Sequence, residues 1–250
     1  MYPDIRPQIQ FRHLSGFPGR TLVISPHCDD ETIGCGGSIA RSLAAGCEVR
    51  IVFAAVSETP GDEIDDVRRR EARSASACLG ATDLRFLAHR IRAIDTDILA
   101  GDIAAELQTF APDVLMVPWY GDNHLDHWAV NVALERCAER IERSAMAVLA
   151  YEVWTPLPVE SLIDITREMP VKMRALREYP SQLRSWRYEP MVAALNAFRA
   201  CSKVPPSFGR VKFAEAFVHR RLEEYVSLVA HRRQHMTPRV MKTRPSPPKN

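Results

Sequence analysis

Thr21-Leu22-Val23-Ile24-Ser25-Pro26-His27-Cys28-Asp29-Asp30-Glu31 begins as an apolar run and ends as a crowd of ionisable side chains. Residues 21–25 have the character of a short strand buried on both faces. Strands of that kind belong to mainly parallel sheets, whose ligands collect at the carboxyl ends of the strands. The ionisable groups sit at that end. A purely structural role needs one helix cap, from Ser25 or Asp30, and leaves His27 and the other acids without work. Neighbouring carboxylates repel unless a cation or a helix N-terminus offsets them. His27 and Asp30, three apart on a turn, can face one point, and Asp29 between them must aim elsewhere. The stretch therefore supplies two metal ligands and one carboxylate beside the metal.

Working outward, a helix is expected from Ser38 to about Ala45, stopped at Gly46, and a buried strand over Val49–Val56. Asp62–Leu79 has helical spacing with acids at its start and Gly80 where a C-cap glycine belongs. The alternation continues as strand Leu84–Leu87, helix Asp97–Phe110, strand Val114–Val117, helix His127–Arg143 and strand Ala147–Val153. Strands alternating with helices predict an α/β fold, a Rossmann-like and mainly parallel sheet with helices on both faces. Beyond Trp154 the pattern loosens into helices over Val171–Trp186 and Pro190–Ala200 and a Pro/Gly loop at Val204–Gly209. Phe213–Arg233 reads equally as a strand followed by a helix or as one long helix. The chain is expected to form one domain over residues 1–236. Its motif-bearing core is about 20–155, with substrate-side elements from about 156 to 236. Residues 237–250 carry Arg239, Lys242, Arg244 and Lys249, no acid and four prolines, the composition of a disordered tail.

The second polar cluster follows the strand at Val114–Val117. His124 and His127 are again three apart, with Asp126 between them. A catalytic zinc site commonly has three protein ligands and an open position for water, so the third ligand is expected here. A carboxylate beside a histidine can fix its tautomer. Gly34-Cys35-Gly36-Gly37 half-matches a dinucleotide fingerprint. However, its sixth position is Ile39, and an acidic block stands where a pyrophosphate would approach. Nucleotide or cofactor binding is thus the weaker alternative, and the glycines are expected to turn the chain behind the metal loop. A catalytically silent metal-binding scaffold is a further alternative, but it would have no use for Asp29 or His124.

The block from His27 to Gly37, followed later by His124-Leu125-Asp126-His127, resembles the PIG-L/LmbE-like deacetylases, which carry an HPDDE block and a later HxDH block. The resemblance runs from about Thr21 to Leu149 and, more weakly, to Ala214–Phe217. It implies a zinc ion, with Fe²⁺ or another divalent metal as the alternative, held by His27, Asp30 and His127. It implies Asp29 as general base, His124 as the group that stabilises the oxyanion or assists the leaving group, and Asp126 as the acid that orients His124. Arg68, in Arg68-Arg69-Arg70-Glu71, resembles the arginine of the family's R-x-x-E segment, which contacts substrate; a solvated helix face is the competing account. Cys28 stands where the family has proline, which removes a φ restraint and adds a thiol; it is expected to pack rather than ligate. The implied activity is removal of an N-acyl group, acetyl by the family's habit, from an amino sugar or its glycoside. Trp119, Tyr120, Asp122 and Asn123 are positioned to stack on and hydrogen-bond a sugar.

Composition narrows the classes further. The 250 residues include 33 basic and 31 acidic side chains for a net charge of +2, which gives no case for nucleic-acid binding. Six cysteines without a C-x-x-C pair suit reduced thiols. There is no charged and apolar leader at the N-terminus and no apolar run of the ~18–20 residues that a membrane span needs. A cytoplasmic enzyme with a small-molecule partner is expected, and self-association into a homo-oligomer is left open. His13, His89, His219, His231 and His235 lack partners at ligand spacing and are expected on the surface or in loops.

Overall fold

Side-chain alternation along the first long strand sends Leu22 and Ile24 into one apolar cluster and Val23 into another, because successive strand residues point to opposite faces. Such a strand must lie mid-sheet. In the computed structural model, which describes residues 10–12, 19–138, 141, 146–203 and 210–235, it does. The strands are β1 (Gln10–Arg12), β2 (Arg20–Ser25), β3 (Glu48–Ala55), β4 (Asp83–His89), β5 (Val114–Pro118), β6 (Ala147–Tyr151), β7 (Ser161–Asp164) and β8 (Ala214–Arg221). They form one sheet in the order β1-β7-β8-β6-β5-β2-β3-β4. Among the described residues, only β8 runs antiparallel to its neighbours, β6 and β7. The fold is the expected mainly parallel α/β sheet, with apolar clusters on both faces.

From β2 the chain winds outward through β3 to β4, then returns to place β5 on the other side of β2. The β2/β5 boundary is therefore a topological switch point, where loops leaving adjacent strands diverge and open a crevice. Both histidine clusters leave from it.

The helices are α1 (Asp30–Ala44), α2 (Glu63–Leu79), α3 (Thr96–Phe110), α4 (Leu125–Ala138), α5 (Met169–Arg177), α6 (Pro180–Leu183), α7 (Tyr188–Lys203) and α8 (Leu222–His235). Gly80 caps α2 with φ 88° as expected, a conformation that costs glycine nothing. Phe213–Arg233 resolves into β8 and α8. Several expectations need correction. The stretch Val171–Trp186 is broken at Glu178–Tyr179, ahead of Pro180, into α5 and α6. β1 and β7 were not foreseen, since three- and four-residue edge strands leave too short a pattern to read. Val204–Gly209 and the tail lie outside the described residues.

The largest correction concerns α1, which begins at Asp30 and not at Ser38. Gly34, Gly36 and Gly37 lie inside the helix, so they do not form a turn. A Cβ on Gly34 would stand 2.2 Å from Cδ2 of Tyr151, and one on Gly37 2.7 Å from Cγ2 of Ile165. The glycines thus let the helix lie flat against the sheet. A kink at Cys35 (φ −141°) interrupts the helical bonding. The Glu215 carboxylate on β8 accepts from the N–H groups of Gly37 and Ser38 at 2.9 and 2.8 Å. Lys172 on α5 donates to Glu215 at 2.7 Å and to Asn196 on α7 at 3.0 Å. All of these side chains are buried, so each charge needs its partner.

Candidate metal centre

The loop after β2 is tightly wound. Ser25 Oγ donates to the carbonyl of His27, and the His27 N–H donates to Asp30 Oδ2 at 3.0 Å. Asp29 sits at the N-cap of α1 with φ 139° and ψ −30°. A non-glycine residue in that region holds roughly 1–3 kcal/mol of strain and persists only where its surroundings enforce it. Glu31 supplies the enforcement. Its carboxylate accepts from the Asp29 N–H, Thr32 Oγ1 and the Tyr179 hydroxyl, and lies 3.2 Å from Ser25 Oγ.

Asp30 is the hub of the site. Its Oδ2 lies 3.1 Å from His27 Nδ1 and 3.1 Å from His127 Nε2. The far nitrogen of each of these rings faces another carboxylate: His27 Nε2 is 2.8 Å from Asp126 and His127 Nδ1 is 3.5 Å from Asp122. Histidines that bind metals commonly show this pattern, with the outer nitrogen on a carboxylate and the inner lone pair free. Both nitrogens of His127 are buried without a well-formed hydrogen bond, an orphaned state that a cation would relieve. His27, His124 and His127 also present ring atoms within 4.8 Å of one another. A mixed imidazole and carboxylate set of this kind fits zinc or a similar divalent ion.

His124 differs from the other two. Its Nδ1 accepts the backbone N–H of Asp126 at 3.2 Å, so a neutral ring carries its proton on Nε2. The Asp126 carboxylate was expected on this ring. It instead takes His27 Nε2 and the N–H of Arg92, because β2 and β5 are neighbours and bring the two loops face to face.

Electrostatics separates the roles. Burial alone would lower the pKa of His27, but hydrogen bonds to Asp126 and Asp30 raise it to about 10. Burial also opposes charge on His127, and its carboxylate neighbours lift it to about 9. Burial and the positive charges of His127 and His27 depress His124 to about 4. Burial and the Asp30 charge push Asp29 well above the usual carboxylate range, against a hydrogen bond from Tyr188. Asp30 is held low: burial would raise it, but the charge and contacts of His127 and His27 dominate.

A cavity of about 750 Å³ opens over these groups, lined among others by His27, Asp29, Asp30, His124 and Arg68. Arg68 Nη1 donates to the carbonyl of Val56 at 3.0 Å. With the Gln182 amide oxygen turned inward, it accepts from Arg68 Nε and Nη2 at 3.1 and 3.3 Å. Glu71, the other end of the R-x-x-E segment, accepts from the N–H and hydroxyl of Ser181. The segment thus clamps α6 to α2.

Of the four residues expected to meet a sugar, only Asn123 lines the cavity. Trp119 donates to the carbonyl of Thr155, the Tyr120 N–H meets the Tyr225 hydroxyl, and Asp122 holds the backbone of His124 and Trp154. The aromatic wall is built from Trp154, Trp186 and Tyr188 instead, and nothing local in the sequence marks these residues. Cys28 is packed in the core as expected, its thiol pushed up by burial, and all six cysteines are free. His89 departs from expectation: it is buried at the end of β4, with Nε2 2.8 Å from Asp102. His13 lies outside the described residues.

Comparison with known proteins follows the same lines. Residues 22–138 match the PIG-L family, described as GlcNAc-PI de-N-acetylase. A 1D-myo-inositol 2-acetamido-2-deoxy-alpha-D-glucopyranoside deacetylase from Actinosynnema mirum is 25% identical over 233 residues, covering 68% of this chain and 82% of its own length. Among solved structures, the 4-carboxy-2-hydroxymuconate hydratase of Pseudomonas putida KT2440 superposes with TM-score 0.68 at 24% identity, covering 80% of this chain and 95% of its own. The N,N'-diacetylchitobiose deacetylase of Pyrococcus horikoshii gives TM-score 0.64 at 20% identity, covering 88% and 86%. At these identities the structural likenesses establish the fold.

Proposed function

We propose, from the premise that residues 22–138 of this chain match the PIG-L family, that the protein is a metal-dependent hydrolase that removes an N-acyl group, acetyl in the simplest case, from an amino sugar. One observation carries the reading: Asp30 Oδ2 is equidistant from two histidines whose outer nitrogens face carboxylates, at the floor of a substrate-sized cavity beside a strained, high-pKa aspartate. His27, Asp30 and His127 are the proposed ligands. His124 is set apart from them because its Nδ1 is taken by a backbone N–H and, among the described residues, no carboxylate is hydrogen-bonded to its ring.

Zinc, when bound, would supply a Lewis acid that lowers the pKa of a water molecule to about 7. The remaining chemistry falls to the chain. Asp29 takes a proton from the attacking water as its oxygen bonds to the amide carbon. His124, neutral at its depressed pKa, donates its Nε2–H to the carbonyl oxygen as negative charge develops there. A single donor of this kind is worth ~2.7–4 kcal/mol. Asp29 then returns its proton to the amide nitrogen as the C–N bond breaks, leaving a free amine and a carboxylate. Tyr188 holds Asp29 in place, and Arg68 is proposed to contact the substrate from the cavity wall.

The hydratase likeness shows that the same fold can host a different reaction. A panel of N-acetyl amino sugars and glycosides, incubated with the zinc-loaded protein and with a chelated control, separates the two. Acetate and primary amine are expected in equal amounts and only with metal. No amine from any member would overturn the deacetylase reading.

A further inference from the structure

The cavity has one wall of which the proposed hydrolysis uses only the Tyr188 hydroxyl. Tyr188 is buried and hydrogen-bonded to Asp29. Its ring lies 5.9 Å from Trp154, and Trp154 lies 4.9 Å from Trp186. Trp186 lines the same cavity while 51% exposed, and so does Ile64 on α2, 55% exposed. An aromatic strip therefore runs from the proposed base out to the rim, where it ends in two large apolar side chains left in water. Exposed large apolar residues that share one cavity mark a binding surface more often than scattered ones do. Arg92, which also lines the cavity, pairs with Glu58 at 3.3 Å. Glu58 and Asp62 add negative charge to the lining, so the surface does not suit an anionic group.

We infer that the Tyr188–Trp154–Trp186 strip, with Ile64, binds an apolar substituent of the amino-sugar substrate, ring- or chain-sized and uncharged, and so sets specificity at the site proposed above. Two sources carry that chemistry, an apolar aglycone or a longer N-acyl chain. This inference rests on the deacetylase reading, and its test has an arm that does not depend on turnover.

The experiment compares kcat/KM for N-acetylglucosamine, its phenyl glycoside and N-octanoylglucosamine in the wild type, Trp186→Ala and Ile64→Ser. A single methylene in an apolar pocket is worth roughly tenfold or more in discrimination. The wild type is therefore expected to favour at least one apolar derivative by roughly tenfold or more. That ratio should collapse towards 1 in Trp186→Ala and shrink in Ile64→Ser. Preference for the phenyl glycoside assigns the strip to the aglycone, and preference for the octanoyl compound assigns it to the acyl chain. Equal kcat/KM for all three substrates would overturn the inference, as would a preference that survives Trp186→Ala. The second arm titrates octyl glucosaminide, N-octylglucosamine and glucosamine against wild type and Trp186→Ala by calorimetry. Tighter binding of either octyl compound that is lost in Trp186→Ala upholds the strip even if no substrate turns over. Equal binding of all three ligands refutes it even if deacetylation is found.

Discussion

Asp29 and Asp30 are adjacent and chemically identical, yet they are driven to opposite ends of the carboxylate range. Asp30 lies between two histidines and is held ionised; Asp29 is raised by burial and by its neighbour's charge. This divergence is how acid–base and ligand roles are commonly divided within one cluster. Asp29→Asn is therefore expected to keep its metal while kcat falls roughly 10²–10⁴-fold, the usual worth of a general base. Metal content and kinetics on one preparation check it, and metal loss in that variant would reverse the two assignments. The histidines separate in the same way. His127→Ala should lose metal, whereas His124→Ala should retain it and lose kcat. Asp126→Asn belongs with the first of these, because its carboxylate backs His27 and not His124. A fall of about 10–100-fold in metal affinity is expected, as for other carboxylates behind metal-bound histidines. An Asp126→Asn protein with intact metal affinity and a defect matching His124→Ala would refute this placement.

At the scale of elements, the metal loop is held from behind. α1 starts at the loop and is kinked at Cys35, and the buried amides of Gly37 and Ser38 are gripped by Glu215 from β8, itself neutralised by Lys172 from α5. Three elements thus meet at one buried ion pair, beneath a helix whose first residue is the proposed ligand Asp30. Removing one partner of such a pair costs about 3–5 kcal/mol because the other is left charged and dry. Lys172→Met should lower stability by that order, read from the denaturant midpoint at unchanged slope. The double variant Lys172→Met, Glu215→Gln should recover part of the loss. A Lys172→Met protein as stable as the wild type would show that the pair does not brace α1. The loss also separates this buried pair from surface pairs such as Arg92–Glu58, for which about 0–1 kcal/mol is expected.

For the whole molecule, the site joins loops from two strands that are adjacent in space and distant in sequence, so metal binding and folding are linked. His27 and His127 have pKa values raised to about 10 and 9 from an ordinary 6.5. A raised histidine pKa stabilises the fold below about 6.5 and loses that contribution as pH climbs through 9–10. Chelated protein should therefore melt at progressively lower temperature over that window. Metal requires the same two lone pairs, so zinc affinity should rise from pH 6 to 8 with release of protons, measurable by chelator competition. A pH-independent affinity would contradict the ligand set. By itself, the sequence determined the alternating α/β plan, the two polar clusters and the strand ends that carry them, because strand burial, turn chemistry and ligand spacing are local patterns. Only the tertiary structure decided that Asp126 backs His27, that the glycines pack a helix against Tyr151 and Ile165, and that Trp154, Trp186 and Tyr188 wall the cavity in place of Trp119 and Tyr120. Those outcomes depend on which strands become neighbours and how a late helical segment folds back over the switch point, and long-range contacts of that kind leave no periodic trace in the chain.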